Sequence, residues 1–376
     1  MRRLISVRLP PPGLNGPFFE IDGLTPTTGL PSDCSTNDRP GLTLAFVIHP
    51  ARRIDDINAG RWHGLPRHRS DFPKQTPFIK MNAMTRQPTE GYRGRVAPTP
   101  SGYLHMGHGA TFWEAQERVR ARDGILVFRM EDLDPVRSTP HFIQAALEDL
   151  RWFGLRWDEG PEEGGAYGPY LQSARTGRYR AVLEQLIEQR WVYPCFCSRK
   201  DIQSAAVAPH VGDEGPIYPG TCRHRPTGPI PAGSRRPCWR MKVPRGRKIG
   251  FVDGRHGAVS YTAGVDFGDF VVWRQDDVAS YQLAVTVDDH FMGITEVVRG
   301  EDLLVSTCRQ LLLYEAMGWK PPRFVHCPLL RNREGERIAK RANALSLRDY
   351  RDGGWTPRKL RDAVGAEGKS PSLELG

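Results

Sequence analysis

An alternation of short strands and helices after Tyr92 constrains the fold more than any other feature of the sequence. Residues 93–97 and 125–130 have the length of buried strands, and a helical pattern over 107–122 lies between them. A second helical pattern follows over 139–154, with a Thr-Pro pair at its start and a glycine at its end. Strand, helix, strand, helix in this order predicts a parallel α/β sheet.

The regular pattern is interrupted between about 195 and 247. Pro, Gly and Arg are frequent in this stretch, as is typical of an inserted subdomain. Regular patterns return at 270–273, at 281–287 and in a helix over 303–317.

The first 90 residues show neither a helical nor an alternating period, and they are rich in proline. We expect a disordered arm, or a start codon set too early with Met81 or Met84 as the true start. A transit peptide is the alternative, although Pro10-Pro11-Pro12 would break an amphipathic targeting helix.

Charge and composition narrow the class of protein. Fifty-three Lys and Arg against 43 Asp and Glu give a net charge of +10, which favours a polyanionic partner. No apolar run approaches the roughly 20 residues of a membrane-spanning helix, so we expect no membrane partner. Seven cysteines are too few for a disulfide scaffold, and three of them crowd at Cys195, Cys197 and Cys222. This spacing indicates a metal site in a cytoplasmic protein.

A tight turn connects the first strand to the first helix and places His105 and His108 at the helix start. Two prolines and two glycines force this turn over residues 98–107. Free N–H groups and the positive dipole end make a helix N-terminus suitable for a phosphate. Imidazoles there can donate to an anion whose charge grows during phosphoryl transfer. The alternative is a plain strand-to-helix connection with surface histidines.

A polar segment near the end of the chain, Gly335–Arg341, contains Lys340, whose ammonium could reach a pyrophosphate. Together the two segments resemble the paired signatures of class I aminoacyl-tRNA synthetases. His105-Met106-Gly107-His108 corresponds to H-I-G-H, and Arg337-Ile338-Ala339-Lys340-Arg341 to K-M-S-K-S, with arginine in place of the first lysine. The resemblance implies that His105, His108 and Lys340 are catalytic, and that they bind ATP together with Gly107.

Four strings narrow the resemblance to the glutamyl group of this class. They are Arg95-x-Ala-Pro-Thr-Pro-Ser-Gly-x-Leu-His-x-Gly, Phe128-Arg129-Met130-Glu131-Asp132-Leu133-Asp134, Ser280-Tyr281-Gln282-Leu283 and Val298-Arg299-Gly300-Glu301-Asp302. The last two match the family's later substrate-binding strand and loop. The resemblance implies a glutamate site that contains Arg95, Val96, Ala97, Pro98, Thr99, Ser101, Glu131, Tyr281 and Arg299.

The chemistry of glutamate agrees with these residue types. Glutamate presents two carboxylates and one ammonium, so its site needs guanidinium groups and an acid. In the family, Arg95, Glu131 and a hydroxyl from Thr99 or Ser101 hold the amino acid. We expect Arg299 to bind the side-chain carboxylate.

The cysteine cluster sharpens the resemblance. Zinc takes four ligands in a tetrahedron, and Cys195, Cys197 and Cys222 supply three. In the glutamyl-queuosine tRNA(Asp) synthetase family a tyrosine is the fourth ligand, and Tyr218 has a similar spacing here. The nearby alternatives are His210, His224 and Cys238. We expect one structural Zn²⁺; the alternative is three free buried thiols.

Only a short stretch follows Lys340 in this sequence, so we expect no helical anticodon-binding domain, which favours the same family over full glutamyl-tRNA synthetases. The resemblance implies activation of L-glutamate by ATP with Mg²⁺ and transfer to queuosine at the wobble position of tRNA(Asp), by a monomer. The alternatives are a truncated enzyme that charges tRNA(Glu) and an inactive RNA-binding module. Candidate RNA contacts are Arg175, Arg178, Arg180, Arg235 and Arg236.

The implied fold is α/β, a Rossmann-type parallel sheet of a class I synthetase catalytic core with an inserted zinc-binding acceptor-like subdomain. The predicted parts are an extension at 1–90, the first half of the catalytic domain at 91–194, the insert at 195–247, the second half at 248–350 and a tail at 351–376.

Overall fold

The computed structural model describes residues 91–198, 200–202, 217–224, 235–330 and 345–367. Predictions that lie outside the described residues are those for the 1–90 extension with Met81 and Met84, His210, Arg337 and Lys340. Among the described helices, none is both long and apolar enough to cross a membrane.

The first four elements follow the predicted order. Strands β1 (Arg93–Val96) and β2 (Ile125–Phe128) are parallel, and α1 (Met106–Arg120) connects them. Helix α2 (Pro140–Phe153) begins after Thr139, whose side chain caps it, and ends at a glycine in the left-handed conformation. This arrangement confirms the predicted α/β class.

The later elements include one that differs from the prediction. In chain order they are the 3-10 turn Gln172–Arg175, α3 (Thr176–Glu188), β3 (Val192–Cys195), β4 (Cys238–Met241), β5 (Lys248–Asp253), β6 (Gly257–Thr262), β7 (Phe270–Trp273), α4 (Tyr281–Phe291), β8 (Glu296–Gly300), the 3-10 turn Glu301–Leu303, α5 (Leu304–Met317), β9 (Arg323–Cys327), α6 (Leu347–Asp352) and α7 (Pro357–Glu367). The prediction that Ser280-Tyr281-Gln282-Leu283 belongs to a substrate-binding strand is wrong, because α4 begins at Tyr281. The Ser280 hydroxyl accepts the N–H of Leu283 and so starts a helix on an apolar run that fits either structure.

The strands form one mainly parallel layer and one antiparallel sheet. Strand β9 is parallel to β8 and β5, and β6 lies antiparallel beside β5. Strand β1 lies next to β8, since the N–H of Thr295 donates to the carbonyl of Arg93. The antiparallel sheet joins β3, β4 and β7. It links a strand inside the 195–247 stretch to strands on either side, while the domain boundaries remain a prediction.

The carboxyl ends of β1, β2 and β8 carry the predicted site residues. The signature turn follows β1, Glu131 follows β2, and Arg299 is the penultimate residue of β8. Fully buried Val96 and Phe128 fix these strand ends in the core. In open parallel sheets the ligand crevice lies at this edge.

Candidate active site

The two signature histidines close the N-terminus of α1. Nδ1 of His105 accepts the N–H of Gly107 at 3.1 Å, and Nδ1 of His108 accepts the N–H of His105 at 3.3 Å. A ring nitrogen that accepts a hydrogen bond carries no proton, so each neutral imidazole holds its proton on Nε2. The pair therefore offers two Nε2–H donors at a helix N-terminus, where an anion is favoured.

Burial keeps both imidazoles neutral. Desolvation, together with the smaller effect of the neighbouring His105, lowers the pKa of His108 to about 3. Desolvation also lowers the pKa of His105, while the carboxylate of Asp302 opposes that shift. At neutral pH the pair acts through hydrogen bonds, so any cation that faces a bound pyrophosphate is supplied by another residue.

Position 107 needs a glycine because the His105 ring lies where a side chain would begin. A Cβ atom at this position would lie 2.9 Å from Cε1 and 3.0 Å from Nδ1 of the His105 ring. These distances are shorter than the roughly 3.5 Å of normal carbon contacts. A larger residue would push the His105 ring away from its capping position.

Backbone hydrogen bonds join the signature turn to the segment after β2. The carbonyl of Val96 accepts the N–H of Arg129, and the carbonyl of Pro98 accepts the N–H of Glu131, both at 2.9 Å. The structure thus places the 96–98 stretch beside Glu131, whereas Thr99 and Ser101 are exposed on the turn.

Glu131 belongs to a buried cluster of alternating charges. Arg129 is fully buried and lies 3.1 Å from Glu131 and 2.7 Å from Asp289. Desolvation raises the pKa of Glu131, and the charges of Arg129 and Arg95 oppose this shift. A carboxylate that burial destabilises gains from one more cation, such as a substrate ammonium.

Arg95 is buried with an unused donor. Its Nη1 donates to the carbonyl of Val298 at 2.7 Å, and its Nε lies 3.6 Å from Asp289 without a hydrogen-bond partner in the described part of the chain. Desolvation lowers the pKa of Arg95, and Asp289 opposes that shift. A buried guanidinium with a free N–H is suited to bind a carboxylate.

Arg299 supplies a second buried guanidinium. Its nitrogens donate to the uncharged acceptors Thr307 Oγ1 at 2.6 Å, Gln310 Oε1 at 2.9 Å and His326 Nε2 at 3.2 Å. The charges of Arg299, Glu131 and Arg95 all act on the Tyr281 phenol, whose pKa is raised chiefly by desolvation of the group. The structure therefore brings the four predicted residues Arg95, Glu131, Tyr281 and Arg299 within electrostatic range of one another.

Sequence reasoning missed four residues that hold this cluster together: Arg129, Asp288, Asp289 and His326. Asp288 contacts Arg129 at 3.7 Å and also receives a hydrogen bond from Arg175 at 2.6 Å. The available signal is an ionisable residue inside an otherwise apolar element, as for the two aspartates of α4 and the histidine of β9. Such residues are rarely buried unless they are paired.

The sulfur atoms of Cys195, Cys197 and Cys222 lie within 4.8 Å of one another, as the metal-site prediction requires. The Tyr218 hydroxyl lies 3.4 Å from Cys195 Sγ and 3.5 Å from Cys197 Sγ. Tetrahedral zinc with bonds of about 2.3 Å to sulfur separates its thiolates by about 3.8 Å. The 3.6 Å between Cys197 Sγ and Cys222 Sγ fits this spacing.

The alternatives for the fourth ligand differ in position. His224 is exposed, and neither it nor Cys238 joins the cysteine group in the part of the chain that the structure covers. Cys238 instead hydrogen-bonds to Cys195, which is the main reason that the pKa of the Cys195 thiol falls to about 4. A thiolate is the form that binds metal, so the hydrogen bond from Cys238 favours Cys195 as a ligand. The Tyr218 hydroxyl, which lies next to two of the three sulfur atoms, stays the prediction for the fourth ligand.

The candidate RNA contacts do not share one environment. The prediction for Arg175 is wrong, because this residue is 3 % exposed and paired with Asp288. Arg180 is half-buried beside Asp277, and Arg236 is exposed at 4.0 Å from the same carboxylate. Buried ion pairs are not available to a polyanion, since separating one leaves an unpaired charge.

Residues 345–347 lie beside the signature histidines. The chain re-enters the described part at Leu345, and Ser346 forms a β-bridge with His105. The N–H of Leu347 also donates to the carbonyl of Leu104 at 2.7 Å. Residues 346 and 347, which follow the second signature in the sequence, are thus anchored beside the first.

Comparison with known proteins agrees with this geometry. Residues 92–374 match the family model described as tRNA synthetases class I (E and Q), catalytic domain. A glutamyl-Q tRNA(Asp) synthetase of Nitratidesulfovibrio vulgaris is 46% identical over 265 residues, 70% of this chain and 82% of that protein. One from Symbiobacterium thermophilum is 47% identical over 271 residues, 71% of this chain and 83% of that protein.

A solved structure has a similar fold. The glutamate tRNA ligase from Elizabethkingia meningosepticum, in complex with its amino acid, superposes with a TM-score of 0.59 at 31% identity. The match covers 71% of this chain and 54% of that chain. The chain therefore spans about half the length of this ligase and most of the length of the two glutamyl-Q relatives.

Proposed function

The chain belongs to the catalytic-domain family of class I tRNA synthetases for glutamate and glutamine, and on this premise we propose that it is a glutamyl-Q tRNA(Asp) synthetase. It activates L-glutamate with ATP and transfers the glutamyl group to queuosine of tRNA(Asp). The observation that supports the activation step is that Arg95, Glu131, Tyr281 and Arg299 lie within electrostatic range of one another. The turn to the signature histidines follows the strand that carries Arg95. The relatives' names and the coverage of their length support the acceptor.

The glutamate roles follow from charge. Arg95 has an unused buried donor and binds the α-carboxylate end, helped by the 96–98 backbone and by a hydroxyl of Thr99 or Ser101. Glu131 binds the ammonium, which offsets the burial of its carboxylate. Arg299 binds the side-chain carboxylate and Tyr281 closes the same space. The partners of Arg299 in the structure are all uncharged, so its charge is available for a carboxylate. The uncharged amide of glutamine would not neutralise this charge, which is the basis for discrimination against glutamine.

The residues proposed to bind ATP lie mainly at the N-terminus of α1. His105, Gly107 and His108 place two Nε2–H donors and the N-terminus of α1 where phosphate oxygens bind. Lys340 adds the ammonium that the neutral histidines lack, and Mg²⁺ accompanies the nucleotide as a substrate ion. An α-carboxylate oxygen of glutamate attacks the α-phosphorus, and the bond to the bridging oxygen of pyrophosphate breaks. The histidines and Lys340 stabilise the charge on the phosphates.

The second step uses glutamyl-adenylate as the acyl donor. A queuosine hydroxyl attacks the carbonyl carbon, AMP leaves, and the hydroxyl proton passes to solvent or to the leaving phosphate. The net charge of +10 favours approach of the RNA backbone. Exposed Arg235 and Arg236 and the accessible parts of Arg178 and Arg180 are the remaining candidates for these contacts.

A structural zinc ion is part of the proposal. Cys195, Cys197, Cys222 and Tyr218 would hold it, and ligation by these residues would tie the 195–247 stretch to β3 of the antiparallel sheet. We also propose the domain division at 91–194, 195–247, 248–350 and 351–376.

The test offers labelled glutamate and ATP to purified tRNA(Asp) with and without queuosine, and to tRNA(Glu). Label on queuosine-containing tRNA(Asp) alone is the expected result. Label on tRNA(Glu) would instead support the charging enzyme, which the glutamate tRNA ligase neighbour keeps as the second candidate. Absence of both label and glutamate-dependent pyrophosphate exchange would indicate an inactive RNA-binding module.

A further inference from the structure

We propose that Asp253 and His326 form a positioning relay that fixes Arg299 for the side-chain carboxylate of glutamate. The inference rests on the proposed function and adds two residues to it. Neither residue lies in the strings that resemble the synthetase family. Both act through Arg299 and are positioning residues rather than catalytic ones.

The relay is a continuous line of short contacts through the core. His326 Nδ1 lies 2.6 Å from Asp253 Oδ2, and His326 Nε2 lies 3.2 Å from Arg299 Nε. His326 is fully buried, and Asp253 and Arg299 are almost so. The pairing of β5 with β9 and of β9 with β8 places the three residues on neighbouring strands.

The hydrogen-bond partners of the His326 ring determine which of its nitrogens carries the proton. His326 Nε2 faces Arg299 Nε and, at 3.0 Å, the Thr307 hydroxyl, which can donate or accept. Because Arg299 Nε is always a donor, His326 Nε2 must accept, and the proton therefore sits on Nδ1. Nδ1–H donates to the Asp253 carboxylate, which accepts but cannot donate when ionised. Desolvation and the charge of Arg299 lower the pKa of His326 to about 4, which agrees with a neutral ring.

Asp253 is itself held in one orientation. Its Oδ1 accepts the backbone N–H groups of Arg255 at 2.9 Å and His256 at 3.0 Å, and more weakly that of His326 at 3.4 Å, which leaves Oδ2 for the His326 ring. An asparagine at this position would keep its carbonyl oxygen on these N–H groups. Its amide nitrogen would then donate to His326 Nδ1, so the ring proton would move to Nε2. The Nε2–H of His326 and the Nε–H of Arg299 would then both be donors, and the hydrogen bond between them would be lost.

The guanidinium of Arg299 has no carboxylate partner among the described residues, so its orientation depends on uncharged acceptors. Its three acceptors hold the guanidinium plane without neutralising it. A carboxylate ligand then meets a buried, pre-oriented cation, and little side-chain entropy remains to be lost on binding.

The experiment compares Asp253→Asn, His326→Gln and the double variant with the wild type in glutamate-dependent ATP–pyrophosphate exchange. Asp253→Asn should raise KM for glutamate about tenfold or more while KM for ATP stays within about twofold, because uniform binding of one substrate is lost. His326→Gln keeps an oxygen acceptor near the Nε2 position, so its effect should be smaller. In that background Asp253→Asn should add nothing, since no tautomer remains to be set.

Asp269→Asn is the matched control. Asp269 is equally buried and hydrogen-bonded, but its partners are Tyr193, Arg223 and the N–H of Val243 in the antiparallel sheet. It should change thermal stability without a selective change in KM for glutamate. Equal shifts of KM for both substrates in Asp253→Asn, or additive effects in the double variant, would show that Asp253 has only a structural role.

Nitrogen-15 NMR of histidine-labelled wild-type protein provides a readout that needs no stable variant of Asp253. The signals that disappear in His326→Gln should report a protonated Nδ1 and an unprotonated Nε2. The opposite tautomer overturns the relay. A wild type without glutamate-dependent exchange would overturn the proposed function and the substrate role of the relay with it, whereas normal exchange with unchanged Asp253→Asn kinetics overturns the relay alone.

Discussion

The backbone N–H of His105 donates to Nδ1 of His108, while His105 itself caps the same helix through its own Nδ1. Each signature histidine thus has two separable tasks. Nδ1 stabilises the start of α1, and Nε2–H is left for a phosphate oxygen. A substitution that keeps an acceptor at the Nδ1 position and removes the donor at Nε2 can therefore separate helix capping from phosphate binding.

We expect His105→Asn and His108→Asn to retain the cap and lose most activity. The asparagine oxygen can accept the N–H that Nδ1 accepts, but no donor remains at the Nε2 position. Loss of one donor to developing negative charge typically costs about 10²–10³-fold in kcat. Pyrophosphate exchange and thermal unfolding, measured on the same preparations, check both halves of the prediction.

The alanine variants serve as the control for capping. His105→Ala should lose similar activity and, in addition, about 0.5–2 kcal/mol of unfolding free energy, because the cap is removed. Equal stability of the alanine and asparagine variants would contradict the capping role, and near-normal exchange in His105→Asn would contradict the Nε2 role.

Gly107→Ala should reduce activity although alanine favours helix. The added Cβ would lie 2.9 Å from His105 Cε1, so the ring must leave its capping position. Gly177 is the matched control, since it is also the second residue of its helix and has open space around it. Gly177→Ala should stabilise the protein by up to about 1 kcal/mol with normal exchange kinetics. A similar gain without loss of activity in Gly107→Ala would refute the steric argument.

The residues at the strand ends could be predicted from the sequence because they lie in continuous strings. The turn after β1 and the segment after β2 are local patterns, and parallel strands bring their carboxyl ends to one edge. The cysteine group that could hold a metal was predicted in the same way, since the spacing of Cys195, Cys197 and Cys222 is itself the signal.

The supporting network could not be predicted because its contacts join distant parts of the chain. Arg129 and Asp289 are 160 residues apart, and Asp253 and His326 are 73 apart. Their partners depend on strand order and helix packing, which one sequence does not determine. The same limit explains the error at Arg175, because a lone arginine has the same local pattern whether it faces RNA or a buried aspartate.

Stability should fall in acid partly through His326. Its pKa is lowered to about 4 in the folded protein, so the unfolded chain, with a value of about 6.5, takes up the proton first as pH falls. The free energy of unfolding therefore decreases between about pH 6.5 and pH 4, and this group accounts for about 2 kcal/mol of the loss at pH 5. Urea unfolding at pH 7 and pH 5 should show a smaller difference for His326→Gln than for the wild type. An identical difference would mean that His326 is not a buried neutral group.

The ligand set of the zinc site yields the last prediction. Purified protein should contain one zinc ion per chain, and Cys222→Ser should lose it together with thermal stability. Tyr218→Phe removes the only oxygen of the proposed set and should weaken zinc retention against a chelator by about tenfold or more. Cys238→Ser is the control, because it keeps a hydrogen-bond donor beside Cys195 and should retain zinc. X-ray absorption at the zinc edge should show three sulfurs and one oxygen in the wild type. Four sulfurs, or loss of zinc in Cys238→Ser alone, would instead make Cys238 the fourth ligand.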